Sequence, residues 1–460
     1  MVIRACAADA EENCSNSVSA SYFVGDRFAR YEGISVVSLV LDPDDLLDEE
    51  KGIYALGAEA FAAQEAGEDP KKYQANFIQR GVAWERYAHV SIFSTEHTLE
   101  VNQNVGARIA GANSRWGARK SFRLYAYDTD TISAPLFADN LNTSGEVIDS
   151  YGTVLIQNGG NLQYSTVFDN SFLQNWLQAE SNSIQTGRFR PIIVFLNGEL
   201  WGCYVLQADI TASEYANRLA VSEEDIAIIK KKVLEAGTDE DLQDFTDLVN
   251  YVRTSYMSDE ESYQYVCSRL DVEALAEYVA IEMYICNTDW PGNNFGFYRN
   301  KNATSTDTRW KPILYDLDLS MGYHKYDVDG DVNRYKETIQ SKLWVPYLFY
   351  GLLENQEFQE VYAQAAAKVA ARFDAEAILE AYNQVWNTWQ PLYTISREAN
   401  VNVNSAGSTS NRLKCVTTFL TNRASFEQTY VSQLLEAAAN NALEAYATAG
   451  NDDEETESTD

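Results

Sequence analysis

Two short segments in the second half of the chain carry side chains that could do chemistry together. The first, ICNTDWPGNNFGFYRN, places Asp289 in a Pro/Gly loop, with Asn294 and a strand-like run after it. The second, RWKPILYDLDLSMGY, is apolar up to Asp316 and then presents Asp318 before a turn at Gly322. Phosphoryl transfer uses these residue types, because one carboxylate orients or deprotonates the acceptor hydroxyl while amide and carboxylate oxygens hold divalent metals. The two segments are therefore candidates for such a site.

The spacing in these segments matches a known catalytic pattern. Protein kinases carry a catalytic-loop Asp with an Asn five positions later, in H-R-D-x-x-x-x-N, and a metal-binding Asp on a following hairpin. Asp289 and Asn294 are five positions apart, and Asp316 follows a further strand–turn–strand. The alternative is that Asp289 and Asn294 form turns around Pro291-Gly292, with the later acidic residues alternating on a strand edge. Spacing alone leaves both interpretations open.

A basic cluster in the first half of the chain is a candidate for binding phosphates. The segment RIAGANSRWGARKSFRL places Gly111, Ser114 and Arg115 in a loop that leads to Lys120 on a strand. Backbone amides of a small-residue loop, facing a strand-borne lysine, suit a polyphosphate. The other interpretation is a surface hairpin with an ordinary basic face. The basic residues of the cluster are Arg108, Arg115, Arg119, Lys120 and Arg123.

A third acidic segment, DVDGDVN, contains Asp327, Asp329 and Asp331 and has some features of a calcium loop. It is not an EF-hand, since its sixth position is Val332 rather than glycine and its twelfth is Thr338 rather than glutamate. Two interpretations remain for this segment, a solvated acidic loop and an additional Ca²⁺ site near the active centre.

Composition and charge narrow the class of protein. The chain has 460 residues, of which 45% are hydrophobic and 12% aromatic, so a packed core is expected and whole-chain disorder is excluded. Its 68 acidic residues against 35 basic ones leave a net charge of −33. Such a surface repels nucleic acids and anionic membranes. The sequence contains no run of eighteen apolar residues, so it predicts no membrane insertion. Acidity fits a secreted or lumenal protein, although no signal peptide is visible.

Cysteine and histidine are too sparse to build a metal or catalytic centre. The six cysteines include no C-x-x-C pair, which excludes a zinc ribbon or a thioredoxin-like motif. The three histidines provide no His-based metal cluster and no Ser-His-Asp triad. We expect Cys203, Cys267 and Cys286 to be buried free thiols, whereas Cys6 and Cys14 could close a small loop.

Periodicity divides the chain into a β-rich half and a helix-rich half. From Ile34 to about Tyr204 apolar and polar residues alternate, and Asn197-Gly198 predicts a hairpin turn. After residue 210 the period becomes helical, and Asp271 is predicted to cap a helix. This order predicts an α+β protein in two lobes. The predicted parts are a loosely ordered segment (1–35), a β-rich lobe with the phosphate loop (36–210), a helix-rich lobe with the catalytic and metal-binding loops (211–446) and a disordered acidic tail or linker (447–460).

Four blocks, in the right order, resemble the CotH kinase family, atypical secreted protein-kinase-like proteins named for a spore-coat protein. WERYAHVSIFSTEH with GARIAGANSRWGARKSFRLYAYD looks like the family's first strands, and FLNGELWGCYVL is similar to its NGeYWGlY hairpin. NTDWPGNN is similar to its D-W-x-x-x-N loop, and YDLDLSMG to its D-x-D-x-x-x-G strand. The resemblance runs from about Asn76 to Tyr323 and continues more weakly to about residue 440.

The resemblance implies a bilobal protein-kinase-like fold, with a β-rich N-terminal lobe and a helix-rich C-terminal lobe. It implies ATP with Mg²⁺ or Mn²⁺, and transfer of the γ-phosphate to Ser or Thr of a partner protein. It also implies a protein that is secreted or lies at a cell or spore surface. Carried over by residue, the implied site consists of the catalytic Asp289, the metal ligands Asn294, Asp316 and Asp318, and the nucleotide-binding Gly111, Ser114, Arg115 and Lys120.

Two departures from the family pattern favour a second interpretation. The family hairpin usually ends in a Glu four positions after its Tyr, and that position is Ala208 here, with Asp209 beside it. A segment that reads LRNGGND…FRDaF in relatives is LIQNGGNL…FDNSF here, across residues 157–170. If the missing Glu normally pairs with the phosphate-binding lysine, Lys120 lacks the partner that orients it. The alternative function is a catalytically degraded pseudokinase that serves as an extracellular binding or assembly module in a spore coat, cell surface or glycan-degrading complex.

Overall fold

The secondary structure of the chain, seen in a computed structural model, is a mixture of helices and sheets. The structure describes residues 1–11, 15, 17–24, 26–178, 184–302, 304–305, 307–398 and 406–448. Cys14 and residues 449–460 of the predicted acidic tail lie outside the described residues. The chain separates into two compact units. The first comprises Met1–Ser171, Gly187–Ala220 and Val385–Thr409, and the second Phe172–Thr186, Val221–Gln384 and Ser410–Asp460.

Fifteen β-strands and thirteen α-helices occur in the described residues, which confirms the predicted α+β class. The strands are β1 (Val2–Ala5), β2 (Val18–Ser21), β3 (Ser35–Leu41), β4 (Arg86–Phe93), β5 (Leu99–Ala110), β6 (Ser121–Ala126), β7 (Ile132–Ser133), β8 (Ser150–Tyr151), β9 (Thr153–Gln157), β10 (Phe189–Leu196), β11 (Glu199–Ala208), β12 (Ile226–Lys230), β13 (Val233–Ala236), β14 (Phe295–Asn300) and β15 (Lys311–Leu314). The helices are α1 (Pro43–Leu47), α2 (Ala58–Glu65), α3 (Asp169–Gln178), α4 (Ala212–Leu219), α5 (Asp239–Thr254), α6 (Glu260–Cys267), α7 (Val272–Tyr284), α8 (Arg334–Thr338), α9 (Trp344–Leu352), α10 (Gln356–Arg372), α11 (Ala375–Glu398), α12 (Ala406–Ala439) and α13 (Leu443–Thr448).

Seven strands of the first unit close into a barrel, in the order β10, β11, β9, β6, β5, β4 and β3. Neighbouring strands run antiparallel except β3 and β10, which are parallel. Side chains alternate between the two faces of each strand. On β6, Phe122 and Leu124 are fully buried in the apolar core, whereas Arg123 and Tyr125 are half-buried. The barrel therefore keeps its apolar residues inside and presents Arg123 of β6 on its outer face.

The hairpin between β10 and β11 has the predicted two-residue turn. Asn197 and Gly198 have φ values of 50° and 84°, the left-handed conformations that Asn-Gly turns adopt and that match strand twist. Oδ1 of Asn197 accepts the backbone amide of Leu41 over 2.8 Å, which ties the turn to β3. The prediction of this hairpin is confirmed.

The described part of the segment 1–35, for which we predicted loose order, contains regular structure. β1 pairs antiparallel with β2, and a 3-10 helix covers Asp26–Tyr31. Most residues of β1 are exposed, so this pair has no continuous apolar face. That lack of an apolar period explains why the sequence pattern did not indicate strands here.

The second unit combines most of the helices with a four-stranded antiparallel sheet, in the order β13, β12, β14 and β15. As predicted, Asp271 caps α7, since its Oδ1 accepts the backbone amide of Ala274 over 3.0 Å. All residues of α7 except Glu273 are buried, so the helix forms part of the core. The chain leaves α7 through Cys286, whose φ is 52°, and enters the Asp289 loop.

Two further predictions concern the burial of the cysteines and the presence of membrane-spanning helices. Cys203 and Cys286 are buried free thiols, as expected, whereas Cys267 is a free thiol of intermediate exposure. None of the helices in the described ranges combines the length and the apolar composition needed to cross a membrane.

Candidate functional site

Asp289 lies in the loop after α7, and each of its two carboxylate oxygens is held by an amide side chain. Asn293 donates its Nδ2 to Oδ1 of Asp289 over 2.8 Å, and Asn294 donates its Nδ2 to Oδ2 over 2.8 Å. The loop folds back on itself, since the backbone amide of Asn293 also donates to the carbonyl oxygen of Asp289 over 2.8 Å. Both carboxylate oxygens are thereby held in defined directions, as orienting a hydroxyl group requires.

Lys231 joins this group from a distant part of the second unit's sequence. It lies between β12 and β13, and its backbone amide donates to the carbonyl oxygen of Phe295, at the start of β14, over 2.8 Å. Its Nζ donates to Oδ1 of Asn293 over 2.6 Å. A cation on the amide oxygen polarises Asn293 and strengthens its hydrogen bond to Asp289. Sequence reasoning missed Lys231, because no motif links it to a residue 62 positions away.

Asp316 follows β15 and lies next to Asn294. The φ values of Asp316 and Asn294 are 58° and 54°, in the left-handed region. Asn and Asp tolerate this conformation better than other non-glycine residues, and residues held in it concentrate at functional sites. Nδ2 of Asn294 also donates to the carbonyl oxygen of Asp316 over 3.4 Å. The structure therefore brings together Asp289, Asn294 and Asp316, three of the residues singled out from the sequence.

Burial and neighbouring carboxylates both act on the charge of Asp316. Asp318 is 3% exposed and Asp316 is half-buried. Burial, with the negative charges of Asp318 and Asp289, raises the pKa of Asp316 to about 8, while Lys231 acts in the opposite direction. The charges of Asp318 and Asp289 disfavour ionisation of Asp316, so added positive charge nearby would stabilise its ionised form.

The oxygen donors of this region fit a hard divalent cation. Carboxylates of Asp316 and Asp318 and the amide oxygen of Asn294 are ligand types that Mg²⁺ and Mn²⁺ prefer. Within the described ranges, no three His, Cys, Asp or Glu side chains are grouped as a site that could hold a metal ion. Mg²⁺ commonly binds through one or two carboxylates and completes its coordination with substrate phosphates and water. The residues therefore fit a cation that binds together with phosphates.

Thr288 connects the two motifs. Its backbone amide and its Oγ1 both donate to the carbonyl oxygen of Leu319, each over 3.0 Å. Oγ1 also lies 3.1 Å from Nε2 of His324, within hydrogen-bonding distance. The Asp289 loop and the segment that carries Asp316 and Asp318 are thus one hydrogen-bonded structure.

The glycine that ends the second motif is favoured by its backbone conformation and by close packing against Val328. Gly322 has a φ of 73°, and a Cβ atom there would lie 3.1 Å from Cα of Val328 and 3.4 Å from the carbonyl oxygen of Cys415 on α12. Arg412, also on α12, donates to the carbonyl oxygens of Ser320 and Met321 over 2.8 and 3.0 Å. The turn after Asp318 is therefore fixed against the helix, and a side chain at Gly322 would strain the backbone and crowd Val328.

Arg423 of α12 fixes the C-terminal end of α7. Its side chain is fully buried, and Nη2 forms an ion pair with Oε2 of Glu427 at 2.5 Å. The guanidinium also donates to four backbone carbonyls, two at the C-terminal end of α7 and two in the loop before α8, because its planar group offers several donors. These acceptors are the oxygens of Met283, Tyr284, Gly330 and Val332, at 2.7 to 2.9 Å.

In the first unit, Lys120 is buried just before β6, with 5% of its surface exposed. Its Nζ donates to the carbonyl oxygens of Arg115 and Gly117 over 2.7 and 3.0 Å, and lies 3.7 Å from the ring centroid of Phe77. Burial lowers the pKa of Lys120 to about 8. The ammonium group is therefore part of the loop's internal structure, and its hydrogen-bond acceptors in the described residues are carbonyl oxygens.

Arg115 organises the loop before β6 in a similar way. Its Nε donates to the carbonyl oxygen of Gly111 over 2.8 Å, and its Nη1 to those of Phe77 and Gln79 over 3.0 and 2.9 Å. Burial lowers the pKa of Arg115 to about 10. The loop is wrapped around this side chain, which leaves Gly111 exposed and Ser114 half-buried.

The outer face of β5 and β6 borders a cavity of about 300 Å³ that four arginines line. Arg108 and Arg123 are direct cross-strand partners. Arg108 forms an ion pair with Glu85 at 2.5 Å, and Arg123 with Asp209 at 2.8 Å. Four guanidinium groups against two carboxylates leave local positive charge in a strongly acidic chain. We call this cavity the arginine pocket, and its arginines are Arg80, Arg108, Arg115 and Arg123.

The end of β11 clarifies the departure noted at Ala208. Ala208 is fully buried in the barrel core, whereas Asp209, next to it, is 4% exposed and reaches Arg123. The carboxylate at this position therefore pairs with an arginine on the outer face rather than with Lys120. Sequence reasoning placed Arg123 in the basic cluster but did not find its partner.

The acidic segment predicted as a Ca²⁺ site is split between buried and exposed residues. Asp327 is fully buried, whereas Asp329 and Asp331 are exposed. Burial raises the pKa of Asp327 to about 6, while His324 and Arg412 act in the opposite direction. Neither carboxylate oxygen of Asp327 has a hydrogen-bond partner among the described residues, and a Ca²⁺ site here stays a prediction.

Comparison with known proteins identifies the family. The sequence model described as CotH kinase protein matches residues 107–426. The match covers the end of β5, the Asp289 loop and most of α12, and it confirms the resemblance seen in the motifs. No match to a curated protein was found. Because the matched region is well over half of its 460 residues, the chain belongs to the CotH kinase family.

Proposed function

We propose that the chain is a CotH-like protein kinase that transfers the γ-phosphate of ATP to a Ser or Thr hydroxyl of a partner protein. The observation that carries this proposal is the geometry of Asp289, whose two oxygens are fixed by Asn293 and Asn294. Asp316 lies beside the same amide. Membership of a kinase family implies a nucleotide and a protein acceptor. Catalysis of phosphoryl transfer consists mostly of positioning and charge stabilisation, which such a rigid polar group provides.

In this mechanism Asp289 accepts a hydrogen bond from the acceptor hydroxyl and aligns its oxygen with the γ-phosphorus. The new O–P bond forms as the bond between the γ-phosphorus and the β–γ bridging oxygen breaks, and ADP leaves. The hydroxyl proton passes to a carboxylate oxygen of Asp289. Asn293 and Asn294 keep both oxygens in place, and Lys231 supports Asn293 through its amide oxygen.

Asn294, Asp316 and Asp318 would hold Mg²⁺ or Mn²⁺ in this proposal. When bound, the cation supplies positive charge that neutralises the phosphates. The chain's own contribution is a set of oxygen ligands, of which Asn294 and Asp316 are held by backbone in the left-handed region. The mutual repulsion of these carboxylates is relieved by that charge.

For the nucleotide phosphates we propose the arginine pocket, which Gly111 lines, together with Ser114 of the same loop. Arg108 and Arg123 are paired with carboxylates, but 23% and 39% of their side chains remain exposed. Arginine suits phosphate because its planar group offers several donors. Lys120 and Arg115 shape the loop through its carbonyls, and their positive charge adds to the attraction for phosphate.

We also propose a protein-kinase-like arrangement of β-rich and helix-rich lobes, and a location outside the cell or on a cell or spore surface. The closed β-barrel of the first unit and the predominance of helices in the second support the first part. The net charge of −33 supports the proposed location, since a strongly acidic surface keeps a protein soluble and disfavours nucleic acids as partners.

One observation favours the alternative, a pseudokinase that binds or assembles partners. Lys120 donates to carbonyl oxygens, and the position that carries a Glu in relatives is the buried Ala208. A kinase that orients its phosphate-binding lysine with a Glu would be impaired by this change. The arginine pocket, with Asp209 on Arg123, is the feature that could replace that function.

Measuring phosphate transfer and ATP binding on the same protein distinguishes the kinase from the pseudokinase. The protein is incubated with γ-labelled ATP, Mg²⁺ or Mn²⁺, and a mixture of Ser/Thr-rich acceptor proteins, and label on protein is counted. The kinase proposal expects metal-dependent label in the wild type and none in Asp289→Asn. Metal-dependent ATP binding without label in any acceptor or in the protein itself favours the pseudokinase. Absence of both transfer and ATP-induced stabilisation contradicts the kinase proposal.

A further inference from the structure

A buried acid, Glu282, lies beneath the loop that carries Asp289. It is near the C-terminal end of α7 and fully buried. Its Oε2 accepts Nδ2 of Asn287 over 2.9 Å, and Oδ1 of Asn287 accepts the backbone amide of Asp289 over 3.3 Å. Asn287 is also fully buried. Two hydrogen bonds therefore connect Glu282 to the backbone of Asp289.

The same loop is held by Arg334 at two carbonyl oxygens. Nη2 of Arg334 donates to the carbonyl oxygens of Asn287 and Trp290, over 3.0 and 2.6 Å. The backbone of Asn287 is thus anchored by an arginine, but the orientation of its amide group depends on an acceptor for Nδ2. Glu282 provides that acceptor. Without it, the amide donor of a fully buried residue would lose its partner, which is costly.

The charge state of Glu282 follows from its surroundings. Its Oε1 has no hydrogen-bond partner among the described residues, so a negative charge there would be poorly compensated. Burial raises the pKa of Glu282 to about 8, and the charges of Asp289 and Asp316 add to the rise, while Asn287 and Arg334 oppose it. The carboxyl group is therefore neutral at pH 7. The charged and titratable groups that face it are Tyr278, Asp289, Tyr315, Asp316 and Arg334.

We propose that Glu282 is a positioning residue, which holds the side-chain amide of Asn287 and thereby fixes the loop that carries Asp289. Its effect on rate rests on the proposed kinase function, whereas its effect on the loop does not. Ionisation would add a buried negative charge beneath Asp289 and Asp316. The rate of phosphate transfer should therefore fall as the pH rises and Glu282 ionises.

Three variants separate positioning from general stability. Glu282→Gln keeps an acceptor for Asn287 and stays neutral at every pH, whereas Glu282→Leu removes the acceptor. Glu277→Gln is the matched control, because Glu277 is a buried acid on the same helix that pairs with Arg372 at 2.5 Å rather than with the loop. If Glu282 served only the general stability of the fold, Glu277→Gln would produce the same effects as the changes at Glu282.

The rate measurement is kcat and KM for ATP from pH 6 to 9.5, with Mg²⁺ held constant. In the wild type kcat should fall above about pH 8, and Glu282→Gln should retain most of kcat at pH 7 and lack that decline. Glu282→Leu should lose about 10- to 100-fold in kcat, with KM for ATP changed less than about threefold, as for other residues that orient catalytic groups. An unchanged alkaline decline in Glu282→Gln overturns the proposal.

Hydrogen exchange of the loop provides a readout that does not need activity. Amides of residues 286–294 should exchange at least about tenfold faster in Glu282→Leu than in the wild type, since a local opening is favoured. Glu282→Gln should restore protection, and Glu277→Gln should leave it unchanged. If the wild type transfers no phosphate, the kinase function fails, and loop exchange alone decides the role of Glu282. Equal protection in the wild type and Glu282→Leu overturns the proposal in either case.

Discussion

Asn294 donates its side-chain amide to Oδ2 of Asp289 over 2.8 Å and lies 3.4 Å from the carbonyl oxygen of Asp316. One amide group thus connects the acidic residue of the first motif to the backbone of the second. Its backbone is held in the left-handed region, as is that of Asp316. Local strain of this kind persists where the surroundings impose it, and it is typical of sites that position reactive groups.

Loss of this amide should reduce transfer without unfolding the protein. Asn294→Ala frees Oδ2 of Asp289 and removes a proposed metal ligand, so we expect kcat to fall by about 10- to 100-fold and the Mg²⁺ requirement to rise. Metal titrations of the transfer rate measure both effects. Asn440→Ala, an exposed position on the surface, is the control and should behave like the wild type. Unchanged metal dependence in Asn294→Ala would exclude Asn294 as a ligand.

Arg423 should be irreplaceable even by lysine. A lysine ammonium has three donors and cannot reach all four carbonyl oxygens and Glu427, so it would leave buried acceptors without a partner. We expect Arg423→Lys to lower the free energy of unfolding by about 3 to 5 kcal/mol. Urea denaturation measures the change, with the exposed Arg253→Lys as the control. A loss below about 1 kcal/mol would contradict this account of the end of α7.

Burial of Lys120 predicts a rise in stability at alkaline pH. Its pKa is about 8 in the folded protein, against an ordinary value of 10.5. Between these values the unfolded chain binds the extra proton, so stability increases with pH by up to about 1.4 kcal/mol per pH unit. Below pH 8 the lysine is charged in both states, and its contribution is constant.

Comparison with Lys120→Met isolates this effect from all other titrations. Between pH 8 and 9.5 the difference in free energy of unfolding between the wild type and the variant should change by about 1 to 2 kcal/mol in favour of the wild type. Denaturant unfolding at several pH values gives both curves. A difference that stays constant over this range would show that the ammonium is not desolvated as the structure indicates.

The features that could be predicted from sequence are those set by neighbouring residues. Asp271 caps α7 and Asn197-Gly198 forms the hairpin turn because both signals act within a few residues. Asp289 and Asn294 come together for the same reason, since one short loop carries both. Strand alternation could also have predicted the burial of Lys120, because Lys120 lies two positions before the inward-facing Phe122 and therefore faces the same side.

The remaining features depend on long-range pairing. Lys231 reaches the Asp289 loop only through its place beside β14, 62 residues from Asn293. Asp209 meets Arg123 across an intervening strand, 86 residues along the chain. Local patterns carry no signal for such contacts, because strand order and register decide them. The support of the site by Lys231 and Asp209 was therefore not predictable from motifs.

The central claim is that Asp289 orients the hydroxyl that receives the phosphate, and intact mass tests it most directly. The wild type, Asp289→Asn and the exposed Asp329→Asn are incubated with ATP and Mn²⁺ or Mg²⁺, with and without Ser/Thr-rich acceptor proteins. We predict added phosphate units with the wild type and the control, and a loss of about 10²- to 10⁴-fold in rate with Asp289→Asn. Equal phosphate incorporation by Asp289→Asn and the wild type would contradict the proposed mechanism.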